Sequence, residues 1–181
     1  MTGQKLPVTE ATASGPFLVE RGPALPCGAD LSFGAADDPC WVEGVVRDRG
    51  GRPIPGACVE LWRPDAGKAG GHVRTDTTGR YAFWASTPHA LTPPSRTGEA
   101  QAAPRLPIRV TALHCRTLVT HILVAGADLP EVIGKGVGQG TLVRVFERQA
   151  PGTATPDGRE LAGRSWTRVH FDIVLAPAGA S

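Results

Sequence analysis

The stretch AAPRLPIRVTALHCRTLVTHILVAGAD, residues 102–128, decides the fold class. Val110, Ala112, Leu118, Ile122 and Val124 belong to near-continuous apolar runs, as strands buried inside a sandwich do. The run therefore predicts two strands, about Ile108–His114 and Leu118–Val124, joined by a tight basic turn. The residues just ahead of the first strand, Arg105-Leu106-Pro107, carry the question of function.

Outward from this pair, the chain alternates short apolar runs with turn signals. Trp41–Val46 predicts a strand, and DRGGRPIPGA (48–57) its turn. Cys58–Trp62 predicts a second strand, with Val59 and Leu61 alternating against Glu60. The segment 63–74 reads as a loop, 75–79 as a turn, and Arg80–Ala85 as another strand. Pro88–Pro107 is a long Pro/Ala loop without periodicity, and such loops inside a domain are functional or disordered. Beyond residue 128 the predictions are one helical turn at Asp128–Ile133, a Gly-rich loop at 134–140, and a strand at Thr141–Phe146. The loop PGTATPDGRELAG and a last strand at Arg168–Leu175 complete the chain. About seven strands separated by turns imply an all-β, antiparallel β-sandwich with long loops.

At 181 residues and 41% apolar, the chain is long enough to bury one core without staples. The 23 glycines and 17 prolines favour turns over long helices. The expected organisation is a flexible polar arm, 1–14, and a single domain, 15–181. A net charge of +2 with no basic run argues against a nucleic-acid partner. The N-terminus lacks the apolar core of a signal peptide and no run approaches a membrane span, so the expectation is a cytoplasmic protein without a membrane partner. Cys27, Cys40, Cys58 and Cys115 have no CxxC or zinc-ligand spacing and read as free thiols. A nucleophilic Cys27 would need a base and a cleft that the sequence does not display.

GVVRDRGGRPIPGACVELWRPD followed by RTDTTGRYAF is common to transthyretin-like sandwich modules. The ordered set GPFLVERGPALPCGADL, DPCWVEG, LVTHILVAGAD and PGTATPDGRELAG…FDIVLAPA is more specific. Together these segments resemble the catalytic domain of the intradiol ring-cleavage dioxygenases, in the hydroxyquinol/catechol 1,2-dioxygenase branch, from about Gly15 to Pro177. The branch's helical N-terminal dimerisation domain has no counterpart in the 14 residues before Gly15, and the resemblance leaves homodimer formation open.

The resemblance implies a ferric ion held by two Tyr and two His, chelated by a catechol before oxygen attacks. Here the ligand positions hold other residues. The chain has one tyrosine, Tyr81, which matches a structural aromatic of the family's GRYAF strand. The segment after Trp62 is short and has no Tyr, and Leu91 stands at the second tyrosine's place. The His-x-His motif falls on Arg105-Leu106-Pro107, and the arginine ahead of it on Ala102. The expectation is therefore no metal and no cofactor. The low-ranked alternative is an atypical iron site built from His72, His89 and Asp65.

The family pocket is lined by segments equivalent to 13–18, 27–31, 63–74 and 88–107. Arg105, standing where a ligand imidazole would be, suits an enolate, phenolate or carboxylate. His89 and His72 suit proton transfer. Pro16, Leu18, Asp30, Trp62, Arg74 and Leu91 complete the expected substrate contacts, although Arg74 equally suits an ion pair with Asp76 or Asp65. Three functions follow, in this order. The first is a metal-free enzyme of secondary metabolism performing acid/base chemistry on an aromatic or polyketide-like molecule. The second is a non-catalytic binding or scaffold protein. The third is an iron-dependent ring-cleavage enzyme with an altered site.

Overall fold

In the computed structural model, residues 5–12, 22–32, 38–63, 68–88, 104–125 and 142–179 are described, without the side chains of 62–70. Ten strands run through them: β1 (Pro39–Asp48), β2 (Cys58–Arg63), β3 (Lys68–Arg74), β4 (Arg80–Ser86), β5 (Arg105–Thr111), β6 (Leu118–Val124), β7 (Val143–Arg144), β8 (Glu147–Gln149), β9 (Trp166–His170) and β10 (Ile173–Leu175). One sheet has the order β10-β1-β9-β8, with β4 also paired to β1. The other has the order β3-β2-β5-β6-β7.

The all-β fold is as the sequence predicts, but the sheets are mixed rather than purely antiparallel. β9 and β10 both run parallel to β1, and β7 runs parallel to β6. The predicted strand 168–175 is two strands with a break. At the break the Phe171 N–H donates to Glu43 O (2.8 Å) and the Val45 N–H to Asp172 Oδ1 (2.9 Å), so β1 stays hydrogen-bonded across it. The predicted strand 141–146 is only Val143–Arg144, followed by the separate β8. β3 falls within a segment predicted as loop; its AGG composition hid it.

The central pair departs in one informative way. β6 occupies the predicted range, but β5 begins at Arg105 and ends at Thr111. His114 lies beyond it in a turn, at φ 59°, a left-handed conformation that histidine adopts more readily than most side chains. Arg105, Leu106 and Pro107 are therefore strand residues, not loop residues.

The core is made where the inward faces meet. Val42, Val46, Phe83 and Ile173 from one sheet pack in one cluster with Val59, Val73, Ile108, Val110 and Ile122 from the other. Each such side chain contributes about 1.5–3 kcal/mol on burial. Gly44 is required by packing: a Cβ there would lie 2.1 Å from Phe171 O, the carbonyl that also accepts the Tyr81 hydroxyl at 2.6 Å.

Two irregular segments stitch the sheets together. In 22–32, Leu25 N donates to His72 O (2.9 Å) on β3, while Gly28 N and Leu31 N donate to Ala82 O and Trp84 O (both 2.8 Å) on β4. In 5–12, Thr9 N donates to Val174 O (3.0 Å) on β10 and Thr12 N to Val119 O (3.1 Å) on β6. Val174 N donates back to Thr9 Oγ1 at 2.8 Å. This part of the predicted flexible arm is thus tied to both sheets, because its backbone groups find partners on strand edges.

Candidate active site on the outer face of the second sheet

Strand alternation places one row of side chains on the face of the second sheet opposite the core. Val59, Val73, Ile108, Val110 and Ile122 face inward. Their neighbours Cys58 and Glu60, His72 and Arg74, and Arg105, Pro107 and Arg109 share the other face. His121 joins them from β6, opposite Pro107.

Glu60 was expected to alternate outward, and it does, yet it is only 2% exposed. Its carboxylate receives Arg109 Nη2 at 2.5 Å and Nε at 2.7 Å, and the Gly22 N–H at 3.3 Å. A carboxylate this deep persists only when paired and hydrogen-bonded, and the fork geometry of arginine meets that need. His72 lies directly across from Glu60 on β3. It is 4% exposed, and its Nδ1 sits 2.8 Å from Gly22 O. Gly22 therefore bridges the pair, its N–H to Glu60 and its carbonyl to His72.

The other end of the row is more open. The β2–β5 pairing ends at Leu61↔Ile108, and on its other side β2 shifts register against β3 between Glu60 and Trp62. From Pro107 back to Arg105, β5 is paired only to β6 among the described residues, an edge position where proline is tolerated. Arg105 is exposed there. His121 lies diagonally across, within reach of Thr12 Oγ1 at 2.5 Å. Burial, and then the positive charge of Arg105, pushes the His121 imidazole down to about 4.

The structure thus groups Arg105 with His121 and groups His72 with Glu60 and Arg109. Arg105 and His72 are four residues and two strands apart, roughly 16 Å between backbones. Sequence reading missed Glu60, Arg109 and His121 as members of this face. A buried Glu flanked by Val and Leu, with an Arg flanked by Ile and Val on a later strand, was the available signal. Arg74 shares the face but is exposed and donates to Gly56 O at 3.1 Å, not to Asp76. Asp30 belongs elsewhere: it caps its own turn through Ser32 N (2.8 Å), bridges to Trp84 and lies 3.9 Å from Arg159, beside the first sheet. Its polar side chain was taken by local backbone chemistry. Pro16, Leu18, His89 and Leu91 lie outside the described residues, as does the Trp62 side chain. Cys27 is exposed, with its Sγ 3.7 Å from Ala82 O.

Among the described residues, no three His, Cys, Asp or Glu side chains come together as a metal site. Tyr81 is fully enclosed between the sheets, its hydroxyl committed to Phe171 O, and burial drives its ionisation far upward. No described helix is long and apolar enough to cross a membrane.

No protein-family model matches the chain. It is 43% identical to a hydroxyquinol 1,2-dioxygenase of Rhodococcus opacus over 93% of its own length and 64% of that protein. It is likewise 43% identical to one from Nocardioides simplex, over 94% of the chain and 65% of the relative. The chain therefore spans just under two thirds of these curated relatives. In three dimensions it superposes on a hydroxyquinol 1,2-dioxygenase from Pseudomonas putida DLL-E4 with a TM-score of 0.72 at 22% identity, covering 94% of this chain and 67% of that one. The dioxygenase domain of a carbohydrate-binding fusion protein from Streptomyces sp. SirexAA-E gives 0.62 at 17% identity, covering 95% of this chain and all of that domain. Those two likenesses establish the fold, and the curated sequences carry the assignment further: this chain belongs to the intradiol ring-cleavage dioxygenase family.

Proposed function

We propose that this protein is a metal-free member of its family that binds an acidic aromatic or polyketide-like small molecule and acts on it by acid/base or oxyanion-stabilising chemistry. The observation that carries this reading is β5. Positions 105 and 107, where the family resemblance puts imidazoles, hold an arginine and a proline side by side on the outer face. Proline has no side-chain donor atom and arginine stays protonated, so neither can ligate a ferric ion. Tyr81, the chain's only tyrosine, is buried between the sheets and bonded to a backbone carbonyl. The residues present do not fit the family's iron.

What they do fit is an anion. The Arg105 guanidinium is exposed at the end of β5 where β2 has parted, and it can pair a carboxylate or phenolate bidentately. As charge develops on an enolate or phenolate oxygen, the same cation stabilises it. His121 beside it is held neutral over most of the pH range by burial and by Arg105. The relatives named hydroxyquinol 1,2-dioxygenases support an aromatic ligand as the starting point.

The test is metal content and visible spectrum of protein expressed in iron-rich medium, with binding of 4-methoxycinnamate measured by calorimetry. The expected result is a folded protein without stoichiometric iron that binds the aryl acid, with affinity reduced about tenfold or more in Arg105→Ala. Stoichiometric iron with a visible band would return ring cleavage as the function. Unchanged binding by Arg105→Ala would remove the anion site. Metal-free protein that binds no aryl acid would leave the scaffold role.

A further inference from the structure

Independently of the Arg105 site, we infer that the turn end of the sandwich is a docking surface for an acidic, extended segment of a partner protein, with Leu113 as its apolar contact. The sequence shows no basic run, yet the fold gathers scattered cations at one end. There the chain turns after β1, between β3 and β4, and between β5 and β6, and β10 ends beside them. Arg47, Arg49 and Arg52 belong to the first turn and Arg74 and Arg80 flank the second. Arg116 lies on the third, and Lys5 on the 5–12 segment. All but Arg47 are exposed.

The contacts make these turns one surface. Arg74 Nη1 donates to Gly56 O (3.1 Å) and Val46 N to Gly79 O (2.8 Å), which joins the first turn to the second. Cys115, on the third, bridges to Pro177 just past β10 and lies close enough to Asp48 to feel its charge. Leu6 N donates to Arg49 O at 2.8 Å, which brings Lys5 alongside. These segments hold two carboxylates, Asp48 and Asp76, and both serve their own turns. Asp48 Oδ1 accepts the Arg52 N–H, and Asp76 Oδ1 those of Thr78 and Arg80. Seven cations against two carboxylates leave an excess of five positive charges, where the whole chain carries +2. Among the described residues none of the seven forms an ion pair, although Arg80 is near enough to Asp76 to help lower its pKa. Cations gathered in this way repel one another, and an anionic partner relieves the repulsion.

The partner's chemistry follows from what surrounds the charge. Leu113 is 83% exposed on the third turn, between the exposed His114 and the half-buried Ala112. One apolar contact amid arginines suits a segment rich in carboxylates that carries an apolar side chain, since a guanidinium fork pairs a carboxylate bidentately. Single-stranded nucleic acid would stack on aromatic rings, and these turns contain no Phe, Tyr or Trp. A membrane surface would take a broader apolar face than one leucine. From β3 to β6 the second sheet spans three strand spacings, roughly 14 Å, the reach of about four extended residues.

The probes are a labelled peptide of glutamates around one central leucine, and the same peptide with serine in its place, followed by fluorescence anisotropy. Wild-type protein is expected to bind both at low salt and to lose about tenfold or more in affinity near 0.5 M salt. The leucine peptide should bind roughly threefold to tenfold more tightly, a preference that Leu113→Ser abolishes. Joint reversal of Arg49, Arg52 and Arg116 to Glu should cost at least about tenfold, whereas Arg164→Glu, on an exposed loop at the other end, should change nothing. No binding at low salt, or binding indifferent to salt, overturns the inference without any variant. Equal affinity for the two peptides, or a triple variant that melts like wild type and still binds, overturns it as well. Tighter binding to phosphatidylserine vesicles or to an oligonucleotide than to the leucine peptide assigns the surface to that polyanion and overturns the protein partner.

Discussion

The two outer faces of the sandwich solve the same problem in opposite ways. The first sheet covers its face with Trp41, Trp84 and Trp166, packed edge to face with centroids 5.2 and 5.7 Å apart. Leu161 packs on the cluster, and every indole N–H has an acceptor: Glu43 for Trp41, Asp157 for Trp84 and the Thr153 carbonyl for Trp166. The second sheet covers part of its face with a buried ion pair and a histidine whose Nε2 is buried without a hydrogen-bond partner. Aromatic burial with satisfied N–H groups is a stabilising solution that asks for nothing further. A desolvated Glu–Arg pair contributes little net stability compared with an apolar replacement, so its presence is better understood as positioning than as stability. The difference supports placing the proposed site on the second sheet.

The largest effect that would test this contrast comes from halving the ion pair. Arg109→Met leaves the Glu60 carboxylate buried and unpaired, and should cost about 3–5 kcal/mol in urea denaturation. The double change Glu60→Leu with Arg109→Met should recover most of that loss while weakening aryl-acid binding. If the double variant keeps wild-type affinity, the pair has no positioning role.

A smaller effect is expected on the aromatic face. Trp84→Phe removes the N–H that Asp157 Oδ2 accepts at 2.8 Å and some ring area, for a loss of about 1–3 kcal/mol. Burial alone would raise the Asp157 carboxyl, but the Trp84 hydrogen bond and the Arg159 backbone N–H hold it below the ordinary value. Its pKa, followed by NMR, should therefore rise in the variant, with ligand binding on the second sheet unchanged. A loss of binding here would break the division of labour.

The smallest effects belong to His121. Its folded pKa of about 4 lies below the ordinary 6.5, so between these values the unfolded chain takes up a proton that the folded one refuses. Stability is level above pH 6.5, falls as the pH drops towards 4, and flattens below. Because the ring is partly exposed, the loss should be on the order of 1–2 kcal/mol. Arg105→Ala should change stability at pH 7 by less than about 0.5 kcal/mol, yet narrow the acid window by letting His121 titrate higher. An unchanged acid limb in Arg105→Ala would show that the two residues do not share a field.

Much of this was legible in the chain. The apolar runs of β2, β5 and β6 and the turn residues between them announce a sandwich, because a two-residue period must bury one face. The proposed absence of an iron site rests on the identity of residues 105 and 107, an arginine and a proline, since coordination depends on donor atoms that a sequence lists. Other features were hidden. β3, rich in glycine, has little propensity and becomes a strand only because β2 and the 22–25 segment offer it partners. Asp30 reads as polar and available, but its own turn consumes it.

Residue types and their two-residue alternation were thus enough for the all-β fold class, and composition for the single tyrosine. Tertiary structure alone decided which side chains meet. Glu60 and Arg109 are 49 positions apart and His121 and Thr12 are 109, so only strand register brings them together. The contact of His72 Nδ1 with the Gly22 carbonyl is likewise a tertiary fact, because it joins groups 50 residues apart. Local chemistry is written in the order of the residues, whereas the partner of a buried polar atom depends on how the sheets are stitched.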